Sequence, residues 1–487
     1  LPVQSRSRLC HRPDTARQRR ALLAVSAADL PAAGIAVAEQ FAAWAVAVDP
    51  AALPDAVRKK AAQSLLDVAG LCLAARRFDY VCAVLNSCES EGVVTAIGHT
   101  RALDMVGAAL VNGTAAHGED YDDTFEGTPV HPGAVIVPTV LAAAEGHGRS
   151  GADALVGIAV GAELLCRLAV VAPTAIHRAG FHPTAVLGTF GATAAAAATL
   201  DLTAAEASNA LGIAGSMASG IIEYLAEGNS TKRLHPGWAA QSGIRAALLG
   251  KNGFDGPRTV FEGQHGFFFG FADPSVTPNF DYITNGLGET WQMSGLAFKP
   301  YACGTMCQPF VDCAIRLVEN GIDPDRVTKI VCKVGEGTVH RLWEPLAEKR
   351  RPTTRYSAKF SVPYCIAVGI VDRAAGLDQF TEARISDPKI LKLAAKVDYE
   401  IDPANDYPAN YSGHLRVTMA DGNVHEFEQP HLRGGAREPL LGEELRAKYR
   451  SNAAVGEYPV ELTAELEAWC DIAFEAPNLA GLARFRQ

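Results

Sequence analysis

Residues 154–172 read ALVGIAVGAELLCRLAVVA, the longest apolar stretch of the chain. Its length would suit a bilayer span, but Glu163 and Arg167 interrupt it, and each costs a few kcal/mol at a membrane centre. A buried core helix is the reading that fits. The sequence around it has the same character, helical and rich in Ala, Leu and Gly from about residue 36. Val57, Ala61, Leu65 and Val68 recur at three or four residues just after Pro54 and Asp55, which predicts a first turn and its apolar stripe. Thr203 and Glu206 form a T-x-x-E capping box before the apolar run through Leu211 and Ile213. Residues 192–198 are nearly all alanine, which predicts closely packed helices, because small side chains let two backbones approach.

After about residue 297 the period changes. Ile330, Cys332 and Val334 alternate, and Leu415, Val417 and Met419 lead into Asp421-Gly422 and Val424, a hairpin pattern that predicts a type I′ turn. The expected fold is therefore mainly α. A large helical domain spans 36–296, a smaller α+β domain spans 297–434, and helices within 435–487 return to the first domain.

The 487 residues are 48% hydrophobic and 20% charged, less charged than the roughly 25% of an average globular protein, which excludes a disordered chain. With 44 Lys and Arg against 54 Asp and Glu the net charge is −10, so the surface repels polyanions and a nucleic-acid partner is not expected. No membrane association is expected either. The 11 cysteines are odd in number and include no CxxC pair, which points to reduced thiols and a cytoplasmic protein. Residues 1–35 form an Arg-rich segment carrying Arg6, Arg8, Arg12, Arg17, Arg19 and Arg20. We read it as an extension outside the fold rather than a targeting signal, because the apolar stretch after Arg20 is short and broken by Asp29.

The chemistry concentrates in His117-Gly-Glu-Asp-Tyr-Asp-Asp-Thr124, followed by His131-Pro132-Gly133. Four carboxylates in five residues repel one another, a costly arrangement for structure alone. An acidic loop that caps a helix and a catalytic cluster both fit the pattern. A metal site is a third reading, although no H-E-x-x-H or H-x-H spacing supports it. Three other segments have compositions unsuited to core packing. Gly180-Phe-His182-Pro-Thr184 precedes a helix start, where an anion is favoured. Ser230-Thr-Lys232-Arg233-Leu-His235-Pro-Gly237 sets two cations beside glycines, which suits carboxylate capture. Phe298-Lys299-Pro-Tyr-Ala-Cys-Gly304 lies at the inferred domain junction, where pockets form.

These segments, with Glu262-Gly263 and Phe360-Ser-Val-Pro-Tyr364, occur together and in order, and the chain resembles the MmgE/PrpD family over everything after about residue 36. Known activities in that family are dehydration of 2-methylcitrate, decarboxylation of cis-aconitate and epimerisation of iminodisuccinate. The resemblance implies a homodimer of two-domain subunits, with an α+β lid over an all-helical domain and a site between them that uses no cofactor and no metal. It places Asp120, Thr124, His131, His182, Lys232, Lys299 and Tyr364 in that site. His131 would move a proton at the carbon next to a carboxylate and Asp120 would orient or tune that imidazole. Lys232, Lys299 and Arg233 would neutralise substrate carboxylates, while Thr124, His182 and Tyr364 would add binding contacts. Gln308 stands where relatives commonly carry a histidine and cannot shuttle a proton: either it has a binding role here or the substrate differs from those of the better known members. The implied function is a lyase for a small di- or tricarboxylate, dehydratase or decarboxylase, acting through a carboxylate-stabilised carbanion. An epimerase or isomerase using the same carbanion is the alternative, and a catalytically silent carboxylate-binding protein the third.

Overall fold

In a computed structural model the described residues are 34–126 and 128–487. Nearly all of the Arg-rich segment, residues 1–33, lies outside them. Helix α1 (Asp55–Ala75) buries Val57, Ala61, Leu65 and Val68, the stripe read from their spacing. Helix α2 (Met105–His117) starts at Asp104, whose side chain accepts from the Gly107 N–H at 2.8 Å, a standard N-cap bond. It is followed by α3 (Pro132–His147) and α4 (Gly151–Val171), the apolar stretch that opened the sequence.

Helix α4 lies inside the protein, and its two buried charges, Glu163 and Arg167, satisfy each other. Arg167 Nε donates to Glu163 at 2.5 Å, and the rest of the guanidinium donates to the carbonyls of Tyr282, Asn285 and Thr290 at 3.0, 2.8 and 2.8 Å. Buried charge is tolerated when paired and fully hydrogen-bonded. Helix α5 (Pro183–Thr199) packs against α4, and α6 (Ala204–Ala214) opens with the Thr203–Glu206 capping box formed in both directions. Helix α7 (Thr231–Lys251) then runs across α2 and α5.

The segment that follows carries the sheet. Strands β1 (Thr124–Phe125) and β2 (Leu296–Ala297) pair antiparallel and link the acidic segment to the chain just before Lys299. A four-stranded sheet contains β3 (Val327–Val334), β4 (Val397–Ile401), β5 (Gly413–Met419) and β6 (Val424–Gln429) in the order β4-β3-β5-β6. The β3–β4 pair is parallel, which needs a long crossover, and the intervening chain supplies it. Helix α8 (Gln308–Glu319) packs on β5 and on α9 (Val362–Asp372). The β5–β6 hairpin forms as expected, but its turn is not type I′. Among its residues only Gly422 has a positive φ, 85°, whereas a type I′ turn needs two such residues. The ladder ends at Thr418–Val424, leaving a longer loop.

Helices α10 (Gly442–Val455) and α11 (Val460–Ile472) come back onto α1. Residues Val37–Gln487 form one compact unit, mainly α, with its small sheet in the C-terminal part.

Candidate active site

A close crossing fixes where the site forms. Gly113 in α2 faces Gly237 in α7 so tightly that a Cβ on Gly113 would come within 2.6 Å of the Gly237 Cα. The crossing sets the first turns of α7, carrying Lys232 and His235, beside the C-terminal end of α2 and the acidic segment after it.

That segment turns out of the helix and is buried, so its backbone needs partners. Four consecutive carbonyls accept from four different cations. Arg233 Nε donates to Gly118 at 2.8 Å, Lys359 to Glu119 at 2.7 Å, Lys299 to Asp120 at 2.8 Å and Lys448 to Tyr121 at 2.7 Å. Each of the four carboxylates is compensated differently. Glu119 pairs with Lys359 at 2.6 Å. Asp120, with φ at 53°, turns its carboxylate to Lys232. Burial opposes its ionisation, yet Lys232 and Lys299 hold it well below the usual carboxylate range. Burial likewise works against the Lys232 ammonium, but Asp120 keeps its pKa above the ordinary value. Asp123 accepts the Gly133 N–H on both oxygens, at 2.9 and 3.1 Å. Burial, with Asp122 and Asp67 nearby, still pushes it up to about 8.

Asp122 is the carboxylate of the histidines. One of its oxygens lies 2.7 Å from His117 Nδ1 and 3.4 Å from His131 Nδ1, while the other is 3.9 Å from Lys299 Nζ. Burial opposes its ionisation, but His117 and His131 beside it hold it low. The expectation that Asp120 orients His131 is thus corrected. The left-handed turn at Asp120 carries its carboxylate to Lys232, and the neighbour of the imidazole is Asp122.

His131 precedes α3, with its Nδ1 2.7 Å from the Asp123 carbonyl. A carbonyl only accepts, so Nδ1 carries the proton and the neutral ring keeps a bare Nε2, the form of a base. Burial pushes its pKa down to about 3, against the pull of Asp122. His182 caps α5 by position only. Its Nδ1 lies 3.0 Å from His235 Nδ1, so one ring donates to the other. Burial holds His182 well below its ordinary value and His235 down to about 4. The rings of His131, His117, His182 and His235 follow one another at 4.9, 5.9 and 5.2 Å.

The structure brings together Asp120, His131, His182, Lys232 and Lys299, with Thr124 placed opposite Ala297 by the β1–β2 ladder. Other candidates are engaged elsewhere. The Arg233 guanidinium bonds the Gly118 carbonyl and Ser230 and stacks on Tyr80 and Tyr356 at 4.6 and 5.4 Å. The Tyr364 hydroxyl donates to the Gln379 carbonyl at 2.6 Å. Gln308 is fully buried at the start of α8; its amide donates to the Cys303 carbonyl at 3.4 Å and its Oε1 has no hydrogen-bond partner. His117, Asp122 and His131 each place one potential metal-ligand atom within 4.8 Å of the others. His117 donates to Asp122, His131 Nδ1 donates to the Asp123 carbonyl and Lys299 stands beside them, which favours hydrogen bonding over a divalent ion. The sequence reading did not single out His117, Asp122, Lys359 and Lys448 for roles. Only the first two sit inside the quoted acidic motif.

Comparison with known proteins shows the family. The MmgE/PrpD N-terminal domain matches residues 39–277 and the MmgE/PrpD C-terminal domain residues 301–468, so the chain belongs to the MmgE/PrpD family. It is 31% identical over 364 residues to a cis-aconitate decarboxylase of Homo sapiens, covering 71% of this chain and 72% of that protein. A cis-aconitate decarboxylase-like protein of Aspergillus oryzae is 27% identical, with 86% and 90% covered. The cis-aconitate decarboxylase of Aspergillus terreus is 27% identical, with 86% and 89% covered.

Proposed function

We propose that this member of the MmgE/PrpD family is a decarboxylating lyase for a small unsaturated polycarboxylate, with cis-aconitate the first substrate to test. The observation that carries the reading is a neutral, buried imidazole, His131, with a bare Nε2, set among the ammonium groups of Lys232 and Lys299. The names of the relatives point the same way.

Loss of carbon dioxide from a carbon next to a C=C bond leaves an electron pair spread over three carbons and into a remaining carboxylate. That delocalisation supplies its own electron sink. The protein has to hold the remaining carboxylates, stabilise the charge and deliver one proton. Lys232 and Lys299 serve the first two tasks, because ammonium groups act strongly in a buried site of low dielectric. His131 serves the third. An entering polyanion favours its imidazolium form, and the Nε2 proton then passes to the far carbon of the allylic system as the C–H bond forms. Carbon dioxide takes away the carbon that lost the C–C bond, and one proton is consumed per turnover. The 297–434 region would act as the lid that excludes water, and a homodimer is the expected assembly.

The test is to incubate the purified protein separately with cis-aconitate, 2-methylcitrate, citrate and iminodisuccinate and follow carbon dioxide and products. Release of carbon dioxide from cis-aconitate is expected. Water loss from 2-methylcitrate, with cis-aconitate inert, would move the assignment to a dehydratase, and no turnover of any of them would remove the lyase reading.

A further inference from the structure

The Asp122 carboxylate is wholly buried and lies between two imidazoles, an arrangement that the substrate-binding lysines do not explain. His117 Nδ1 donates to Oδ2 at 2.7 Å, and His131 Nδ1 stands 3.4 Å from the same oxygen while hydrogen-bonded to the Asp123 carbonyl at 2.7 Å. The other oxygen, Oδ1, is buried with no hydrogen-bond partner, 3.9 Å from Lys299. We propose that Asp122 is the positioning residue for proton transfer: with His117 fixing its orientation, it supplies the negative charge that His131 needs whenever that ring becomes an imidazolium. This rests on the reading above, that His131 moves the proton.

The groups facing His131 are Asp122, Lys299, His117, Lys232 and His182. Among them Asp122 is the group that favours a charged His131, while the lysines and histidines oppose it. A neutral His131 is content with the Asp123 carbonyl. Once Nε2 gains a proton, the ring has two N–H bonds and a full charge in a buried site, which costs several kcal/mol unless an anion is close. Asp122 is that anion. His117 keeps it there, because its Nδ1–H holds Oδ2 on the histidine side and prevents the carboxylate from turning towards Lys299. After transfer the Nε2–H bond has broken, its electron pair has returned to the ring and Asp122 again faces a neutral imidazole. The division of labour is that of a carboxylate that stabilises an imidazolium without itself taking the proton.

The experiment compares wild type and Asp122→Asn with cis-aconitate. The amide keeps the shape and removes the charge. The expected result is a kcat lower by about 100-fold, a KM within about threefold of wild type, and the alkaline limb of the kcat profile moved down by about one pH unit or more. A purely structural role would reduce the folded fraction and leave the limb where it is, so an unmoved limb overturns the proposal. The wild-type protein supplies a second reading that needs no variant. With histidine labelled at ¹³Cε1 and the site saturated by tricarballylate, a saturated tricarboxylate, the resonance assigned to His131 by its loss in His131→Asn is expected to report the imidazolium at neutral pH. A ring that stays neutral in that complex overturns the role of Asp122 even if Asp122→Asn does not fold. Absence of any turnover in wild type would instead sink the lyase reading, and the tricarballylate titration would still judge Asp122.

Discussion

Asp120 and Asp122 stand two residues apart on one buried strand of chain, and their neighbours are opposite in kind. Asp120 turns to the ammonium of Lys232, whose side chain is 12% exposed, and its own carbonyl takes Lys299. Asp122 is fully enclosed by His117 and His131. The first set carries positive charge, which suits holding an anion. The second set holds groups whose charge changes with one proton, where an anion must be converted. One short segment thus sends two nearby carboxylates to different partners, because the left-handed turn at Asp120 carries its side chain to Lys232 while Asp122 stays with the histidines.

Variants on each side should break the enzyme differently. The largest effect is expected on the histidine side, where His131→Ala lowers kcat by about 100-fold or more with KM little changed, as loss of a positioned proton donor does. A variant with full turnover would remove His131 from its role. On the lysine side, Lys232→Ala should raise KM by about tenfold and make the residual activity less sensitive to salt. It also leaves Asp120 buried without its partner, so its melting temperature should fall; an unchanged KM would count against the carboxylate anchor.

A smaller effect sharpens the contrast through Asp123. Its folded pKa of about 8 lies above the 3.8 of an ordinary aspartate, so the folded state keeps a proton that the unfolded chain gives up. The resulting stability is full below the lower value and is lost as pH rises towards and through about 8. The melting temperature of wild type should therefore decline between pH 6 and pH 9 more steeply than that of Asp123→Asn, and parallel curves would contradict the shift. The smallest effect is expected from a strong chelator, which should leave activity intact, because protons and Lys299 already occupy the His117–Asp122–His131 cluster. Loss of activity that zinc or another divalent ion restores would overturn that reading.

Much of this was legible in the sequence, for reasons that differ by region. The helices declared themselves by apolar spacing at 57–68 and by the Thr203–Glu206 box, since both signals are local. The β5–β6 hairpin was visible in its alternation, but β4 was not, because a parallel partner is chosen by a distant strand. The acidic run marked the site by its cost. Its resolution was not readable, because the compensating groups come from far away: Lys359 arrives from the turn before α9, and Lys448 from α10, where E-E-L-R-A-K-Y-R looks like a solvent-facing helix. Nor does sequence show that Asp120 takes a positive φ, the feature that hands His131 to Asp122.

The most direct test of the account is proton NMR of the wild-type protein turning over cis-aconitate in D₂O. The account predicts an α-methylene dicarboxylate product in which carbon dioxide has been lost and a single deuterium sits on the carbon that His131 protonates, with no label in the remaining substrate. Deuterium entering unchanged substrate without release of carbon dioxide would contradict it and would assign the site to an enzyme that forms the carbanion only to reprotonate it.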